Sequence, residues 1–249
     1  MNNTKVALVT GANKGIGFQI AQELTTRGFT VLVGSRRLGS GQEAAQRIGA
    51  RAHALQLDVT DARSIAAAAE RIRGDFQRLD VLVNNAGIAY AGPPGASFEE
   101  KIAAGRPSTA SMDHMRAIFE TNVFGVIATI QAMLPLLRQA PAGRIVNVSS
   151  TVGSLTLQSD PTHPVRAIID AMYSPSKTTL NAVTVAFAKE LQGTNITVNS
   201  VCPGFTATDL NNFRGHRSVE EGAREAVRLA LLEGGPTGTF SNDDGIVPW

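Results

Sequence analysis

The chain has 249 residues, of which 43% are apolar and 18% charged, with a formal net charge of +2. Its length suits one α/β domain, residues 1–249, with a sizeable core, and no run of Lys and Arg interleaved with aromatics points to nucleic acid. The lone Cys202 excludes an internal disulfide framework and fits a reducing cytoplasm, and four scattered histidines give no metal-ligand spacing.

In chain order, the apolar run Val6-Ala-Leu-Val9 reads as a buried strand. It starts by about Lys5, which leaves no room for a signal peptide. The stretch Thr10-Gly-Ala-Asn-Lys-Gly-Ile-Gly17 follows, and Ile16, Ile20 and Leu24 then recur at helical spacing. Glycines at 11, 15 and 17 allow positive φ and close backbone approach, and the free N–H groups of a helix start attract phosphate. The spacing G-x-x-x-G-x-G differs from the usual G-x-G-x-x-G fingerprint.

Val31-Leu-Val33 predicts a second strand, running into Gly34-Ser-Arg-Arg37 and a short helix from Gln42 to Ile48. Ala54-Leu-Gln-Leu57 predicts a third, ending at Asp58 and Val59. Asp61 is placed to cap a helix with Ile65, Ala69 and Ile72 on one face, stopped at Gly74. Val81-Leu-Val83 is the fourth strand and ends in Asn84-Asn85-Ala86-Gly87. Strands that are continuously apolar and alternate with helices predict a doubly wound parallel sheet of Rossmann type, covered on both faces.

Residues 88–110 read as a long loop with a short helix, a kind of segment often used for function. The next helix carries Met115, Ile118, Phe119, Asn122, Val126, Ile130, Met133 and Leu137 on one stripe. This most apolar region contains Glu120, Asn122, Gln131 and Pro135, which argues against a membrane span. An amide at Asn122 on that face must find partners or cost roughly 1–3 kcal/mol, so a role in a site is expected. Gly143 to Val148 is a fifth strand that delivers Ser149 and Ser150. Residues 164–172 start with Pro164 and place Val165, Ile168, Ile169 and Met172 at i, i+3, i+4 and i+7, which predicts two apolar helical turns. A long helix with Tyr173, Lys177, Leu180, Thr184, Phe187 and Leu191 on one face follows. Asn195 to Val201 is the sixth strand, leading into Cys202-Pro-Gly-Phe-Thr-Ala-Thr208. Ser218 and Glu221 predict a capping box, and Thr237 to Phe240 a last short strand.

Tyr173 and Lys177 stand one helical turn apart and share a face. A nearby ammonium favours the phenolate and lowers a tyrosine's pKa from about 10. Such a phenol can give a proton to a forming alkoxide or take one in reverse, and the Ser150 hydroxyl can hold the oxygen where charge develops.

With these residues in view, the chain resembles the short-chain dehydrogenase/reductase family along nearly all its length. The resemblance rests on the Thr10–Gly17 motif, Asp58-Val59, Asn84-Asn-Ala-Gly87, Asn122, Ser150, Tyr173-x-x-x-Lys177 and Pro203-Gly204 with Thr208. Asn13-Lys-Gly-Ile-Gly17, the long stretch before Tyr173 and the terminal Trp249 look most like the carbonyl reductase branch.

The resemblance implies Tyr173 as general acid, Ser150 (rather than Ser149) on the carbonyl oxygen, Lys177 on the nicotinamide ribose and tuning Tyr173, and Asn122 anchoring a water of the proton relay. It implies a dinucleotide held by Gly11, Asn13, Lys14, Gly15, Ile16 and Gly17, with Asp58 and Val59 on the adenine. Asn85, Ala86 and Gly87 then line the cleft, and Pro203, Gly204, Thr206 and Thr208 clasp its nicotinamide end. Asn84 serves mainly to tie adjacent strands.

The expected activity is reduction of a ketone or aldehyde with NADPH. The alternatives are an NADP-dependent sugar or steroid alcohol dehydrogenase and a non-catalytic NADP-sensing regulator, which the filled Asn/Ser/Tyr/Lys set disfavours. NADP(H) is expected because the second strand ends in Arg36 and Arg37 with no acid for a ribose hydroxyl; Arg36 and Lys14 are the candidates for the 2′-phosphate and Arg37 a lesser one. Phe205, Leu210, Phe213 and Tyr90 predict an apolar carbonyl substrate. The 164–172 helix, packed within its own chain, predicts a monomer.

Overall fold

The computed structural model describes residues 4–249. Eight strands form one sheet in the order β3-β2-β1-β4-β5-β6-β7-β8. They are β1 (Val6–Val9), β2 (Thr30–Ser35), β3 (Ala52–Gln56), β4 (Val81–Asn84), β5 (Gly143–Val148), β6 (Ile196–Val201), β7 (Phe240–Asn242) and β8 (Gly245–Ile246). All neighbours pair in parallel except β7 and β8. The helices are α1 (Gly15–Thr26), α2 (Leu38–Ile48), α3 (Ala62–Phe76), α4 (Phe98–Ala104), α5 (Met112–Phe119), α6 (Gly125–Leu137), α7 (Leu155–Ser159), α8 (Tyr173–Glu190) and α9 (Val219–Leu231). This is the doubly wound Rossmann-type sheet that the strand patterning predicts.

The strands are apolar throughout because each face has its own cover. Leu8, Leu82 and Ile145 pack with Ile72 of α3, Ile130 and Met133 of α6 and Leu180 of α8. Ala7, Val9, Val81 and Val83 turn the other way, onto Ile20 and Leu24 of α1 and Val227 and Leu229 of α9. Truncating a wholly buried side chain such as Leu82 to Ala costs about 2–5 kcal/mol. The strand order reverses between β1 and β4, and in such sheets the crevice at the carboxyl ends beside that point is where a ligand fits.

Polar side chains tie the right half of the sheet together. Asn84 Nδ2 donates to Asn147 Oδ1 at 2.8 Å, Asn147 Nδ2 to Thr184 Oγ1 at 2.8 Å, and Thr184 Oγ1 lies 2.8 Å from Ser200 Oγ. This buried chain links β4, β5, α8 and β6, so Asn84 does tie neighbouring strands. Asp61 caps α3 through Arg63 N–H, and Ser218 with Glu221 forms a full capping box on α9.

Three local expectations are corrected. α3 runs past Gly74 and ends at Phe76, where Gln77 takes the left-handed conformation. The long apolar helix is interrupted by a π turn, Glu120–Phe124. At its end a Cβ on Gly125 would lie 2.6 Å from Val59 O, so glycine lets the helix rest against the strand-3 loop. The best 18-residue window of Met112–Leu137 has a mean hydropathy of 1.5, enough by length and composition to cross a membrane, yet half of it is buried inside this fold.

The third correction concerns residues 164–172. Pro164–Ala167 is a short 3₁₀ helix and Ile168 is extended at φ −85°, ψ 111°. Val165 and Met172 are buried, whereas Ile168 and Ile169 are 46% and 59% exposed, so the apolar stripe is split. The physical reason is Asp170, whose carboxylate gathers the N–H groups of Met172, Tyr173 and Ser174 and draws the chain out of helix before α8 begins.

Candidate active site

A cleft of about 500 Å³ opens at the carboxyl ends of β1, β4 and β5. Its floor is the turn from β1 into α1. Gly11 and Gly15 have φ of 63° and 59°, where a side chain is strained. A Cβ on Gly17 would sit 2.3 Å from Asn85 Nδ2 and 2.7 Å from Gly11 O, so the helix can start this close to β4 only with glycine there. Thr10 completes the turn: its hydroxyl accepts from the N–H groups of Asn85 and Ala86, both at 3.0 Å. Asn85 Nδ2 in turn donates to Thr10 O and Gly11 O.

No side chain caps α1, and its first turn carries no acidic residue. The N–H groups and positive dipole end of α1 are thus left for an anion at the cleft. This bare helix start over a glycine cradle fits a dinucleotide's pyrophosphate. Asp58, Val59, Ala86 and Gly87 line the same cleft, as do Asn13, Lys14, Ile16 and Arg36. Arg36 is exposed and has no carboxylate partner among the described residues. Lys14 Nζ lies 3.1 Å from Asp209 Oδ2. Arg37 instead stands at the N-cap of α2 and does not line the cleft.

The opposite wall carries Val148, Ser149, Tyr173 and Lys177, with Ser150 just behind them at the end of β5, where it caps the 3₁₀ turn Thr151–Gly153. Ser149 Oγ donates to Asn181 Oδ1 at 2.6 Å, whereas Ser150 Oγ accepts from Val152 N–H at 3.4 Å and stands near enough to the Tyr173 phenol to favour its charged form. Lys177 is almost wholly buried, donates from Nζ to Val148 O at 2.7 Å, and lies 5.6 Å from the Tyr173 ring centroid. Loss of solvent lowers the Lys177 pKa to about 8.

Burial pushes the Tyr173 phenol above the ordinary tyrosine range; the Cys202 and Asp170 side chains add to the shift, and the Ser150 hydrogen bond opposes it. The expected lowering by Lys177 is therefore not found. The ammonium is directed at the backbone carbonyl of Val148, and desolvation dominates the phenol.

Asn122 is wholly buried behind this wall. Its Oδ1 accepts from Ile88 N–H at 2.9 Å, and its Nδ2 donates to Ile88 O at 2.8 Å and Ser176 Oγ at 3.0 Å. The side chain thus clamps the loop after β4 and is not free to reach into the cleft. The π turn around it shifts the helical ladder by one residue, an irregularity that occurs mostly at functional sites.

The third boundary is the segment after β6. Pro203 and Thr208 line the cleft, and Thr208 Cγ2 would touch a Cβ on Gly15 at 3.5 Å. Thr206 is a correction: it is buried, its hydroxyl donates to Pro203 O at 3.0 Å, and it packs under Gly222 of α9. Gly204 is likewise off the cleft surface, packed on Arg217. Both shape the loop from behind.

Over the cleft, α4 meets this loop. Phe98 and Phe205 have ring centroids 6.3 Å apart, Arg214 pairs with Glu99 at 2.8 Å, and Asn212 joins Ala96 O and Lys101. Sequence reasoning missed Thr10, Ser176 and Asp170 as supports. Asp170 had a usable signal, an Asp just ahead of a helix start, but the apolar spacing from Val165 to Met172 obscured it.

Comparison with known proteins agrees with this geometry. The family model described as short chain dehydrogenase matches residues 5–218. The chain is 36% identical to Short-chain dehydrogenase/reductase 1 of Saponaria officinalis, over 98% of this chain and 96% of that one. It is 32% identical to Carbonyl reductase [NADPH] 1 of Sus scrofa, over 100% and 95% of the two chains. The fold is similar to NADPH-bound carbonyl reductase from chicken fatty liver, with a TM-score of 0.79, 26% identity and 99% of each chain covered.

Proposed function

The chain belongs to the short-chain dehydrogenase/reductase family, in its carbonyl reductase-like branch, and from that premise we propose that it reduces a ketone or aldehyde to an alcohol with NADPH. The observation that carries this reading is geometric: Tyr173 and Lys177 line the same cleft as the glycine turn and the uncapped start of α1. Burial holds the Tyr173 phenol above its usual pKa, so it carries the proton that a forming alkoxide takes up.

The chain's own residues divide the work as follows. The N–H groups of α1 bind the pyrophosphate, with Arg36 and Lys14 meeting the 2′-phosphate. When bound, the dinucleotide supplies a hydride from its nicotinamide to the carbonyl carbon. Ser150 donates a hydrogen bond to the carbonyl oxygen, and Tyr173 Oη passes it a proton as the alcohol forms. Lys177 holds the ribose beside Tyr173. Asn122 keeps the loop after β4 and Ser176 fixed, so its role in a proton relay lies in positioning. Val59 and Asp58 border the adenine.

Leu210, Tyr90, Pro93 and Pro94 line the cleft beside the phenylalanines of the roof, which supports an apolar carbonyl substrate. We further read the protein as cytoplasmic, in keeping with its single cysteine, and as a monomer, with a dimer as the alternative because Ile168 and Ile169 stand exposed beside the buried Val165 and Met172.

The test is NADPH consumption with a panel of aldehydes, quinones, cyclic ketones and steroids. Turnover with at least one class, lost in Tyr173→Phe, is the expected result. Binding of NADPH without turnover of any of them would overturn the reading.

A further inference from the structure

Tyr173 is the first residue of α8, where a helix ordinarily frays and its N–H groups have no partner within the helix. Here that turn is held from both sides. Asp170 Oδ1 accepts from the N–H groups of Met172 at 2.9 Å and Tyr173 at 3.3 Å. Its Oδ2 accepts from Ser174 N–H at 2.6 Å and from Ser174 Oγ at 2.9 Å. On the other side, Ser176 Oγ donates to Tyr173 O at 2.6 Å and itself accepts from Asn122 Nδ2. A carboxylate accepting four hydrogen bonds at a positive helix end is a charge-assisted anchor.

The anchor also reaches the roof of the cleft. Ala171 N–H donates to Gly105 O at 2.8 Å, just after α4. A Cβ on Gly105 would stand 2.8 Å from Asp170 Oδ1, so the α4 end and the carboxylate are in contact. Gly105 has φ −79°, which alanine adopts freely, and the atoms nearest such a methyl are Asp170 Oδ1 at 2.8 Å and Ile102 O at 3.4 Å.

We propose that Asp170 is a positioning residue of the reaction, fixing the first turn of α8 so that the Tyr173 phenol meets the substrate oxygen beside Ser150, and linking that turn to the end of α4. The proposal rests on Tyr173 being the proton donor. Asp170 touches neither substrate nor cofactor in this role and acts through the backbone that carries Tyr173. Its substitution therefore slows the chemical step and leaves NADPH binding intact.

The experiment compares wild type with Asp170→Ala, Asp170→Asn and Gly105→Ala, measuring kcat, KM for the carbonyl, NADPH affinity by fluorescence, and Tm. A displacement of the reacting group by about 1 Å can cost on the order of 100-fold, so Asp170→Ala is expected to lower kcat roughly 10- to 100-fold. NADPH affinity should stay within about twofold of wild type. Asp170→Asn keeps one acceptor oxygen but turns its NH2 toward the N–H groups on the other side, so it should recover only part of the loss. Gly105→Ala should lower kcat in the same direction by pushing the carboxylate, and carries the test if Asp170→Ala fails to fold. Unchanged kcat in both Asp170→Ala and Gly105→Ala would overturn the proposal, as would a kcat loss that only follows loss of NADPH affinity. Failure of the underlying reading is distinguishable, because wild type would then show no turnover, or Tyr173→Phe would retain it.

Discussion

Lys14 of the glycine loop and Asp209 of the loop after β6 form an ion pair at 3.1 Å across the mouth of the cleft. Both side chains are more than half exposed, so the pair is worth about 0–1 kcal/mol. Arg36, at the end of β2, lines the same cleft with no carboxylate partner among the described residues.

The two cations should therefore contribute unequally to cofactor choice. Arg36→Asp is expected to lower kcat/KM for NADPH by roughly 10- to 100-fold, since charge-assisted bonds to phosphate are worth about 1.5–3 kcal/mol. NADH should be little affected. Lys14→Ala should cost less, because Lys14 already shares its charge with Asp209. Steady-state kinetics with both cofactors checks this, and equal efficiency with NADPH and NADH in wild type and Arg36→Asp would refute it.

Removing the phenol should separate binding from chemistry. Tyr173→Phe is expected to bind NADPH with near wild-type affinity and to lose roughly 100-fold or more in kcat, in keeping with the usual yield of acid catalysis. Near-normal turnover in that variant would assign the proton to another group.

The glycine cradle should not tolerate a methyl at position 17. A Cβ there meets the Gly11 carbonyl at 2.7 Å as well as the Asn85 amide, and backbone cannot yield as a flexible side chain does. Gly17→Ala is expected to destabilise the protein by about 1–3 kcal/mol and to weaken NADPH binding. Thermal melts and fluorescence titration measure the two effects; an unchanged Tm together with unchanged affinity contradicts the packing described.

Stability should rise with pH above neutrality because of Lys177. Its folded pKa of about 8 lies below the ordinary lysine value of 10.5, so between these values the unfolded chain binds more protons than the folded one. Stability then increases with pH across that window as the cost of the buried charge is relieved. Tyr173 acts oppositely above its ordinary value of 10.0, where its raised pKa makes unfolding favour proton release. Denaturant midpoints at pH 8 and 9.5 should differ in wild type and converge in Lys177→Met, and a variant with the same slope as wild type would show that another group is responsible.

The sequence by itself determined the layered fold and the glycine turn at the floor of the cleft. Continuous apolar strands such as Val6–Val9 require cover on both faces, and glycines at 11, 15 and 17 between a strand and a helix admit few backbone paths. The i, i+4 spacing of Tyr173 and Lys177 put them on one face for the same local reason. Tertiary structure decided what those groups experience. Lys177 is aimed at Val148 O by the packing of α8 on β6 beside β5, and the Tyr173 phenol is raised by burial, neither of which spacing encodes. Thr206 turned inward where Gly222 of α9 packs on it, and no α-helix extends beyond Pro164–Ala167, where Ala171 N–H goes to Gly105 O and Met172 N–H to the Asp170 carboxylate. Periodicity records which residues are apolar, whereas hydrogen-bond competition and desolvation depend on which distant segments arrive, and only the folded chain brings those together.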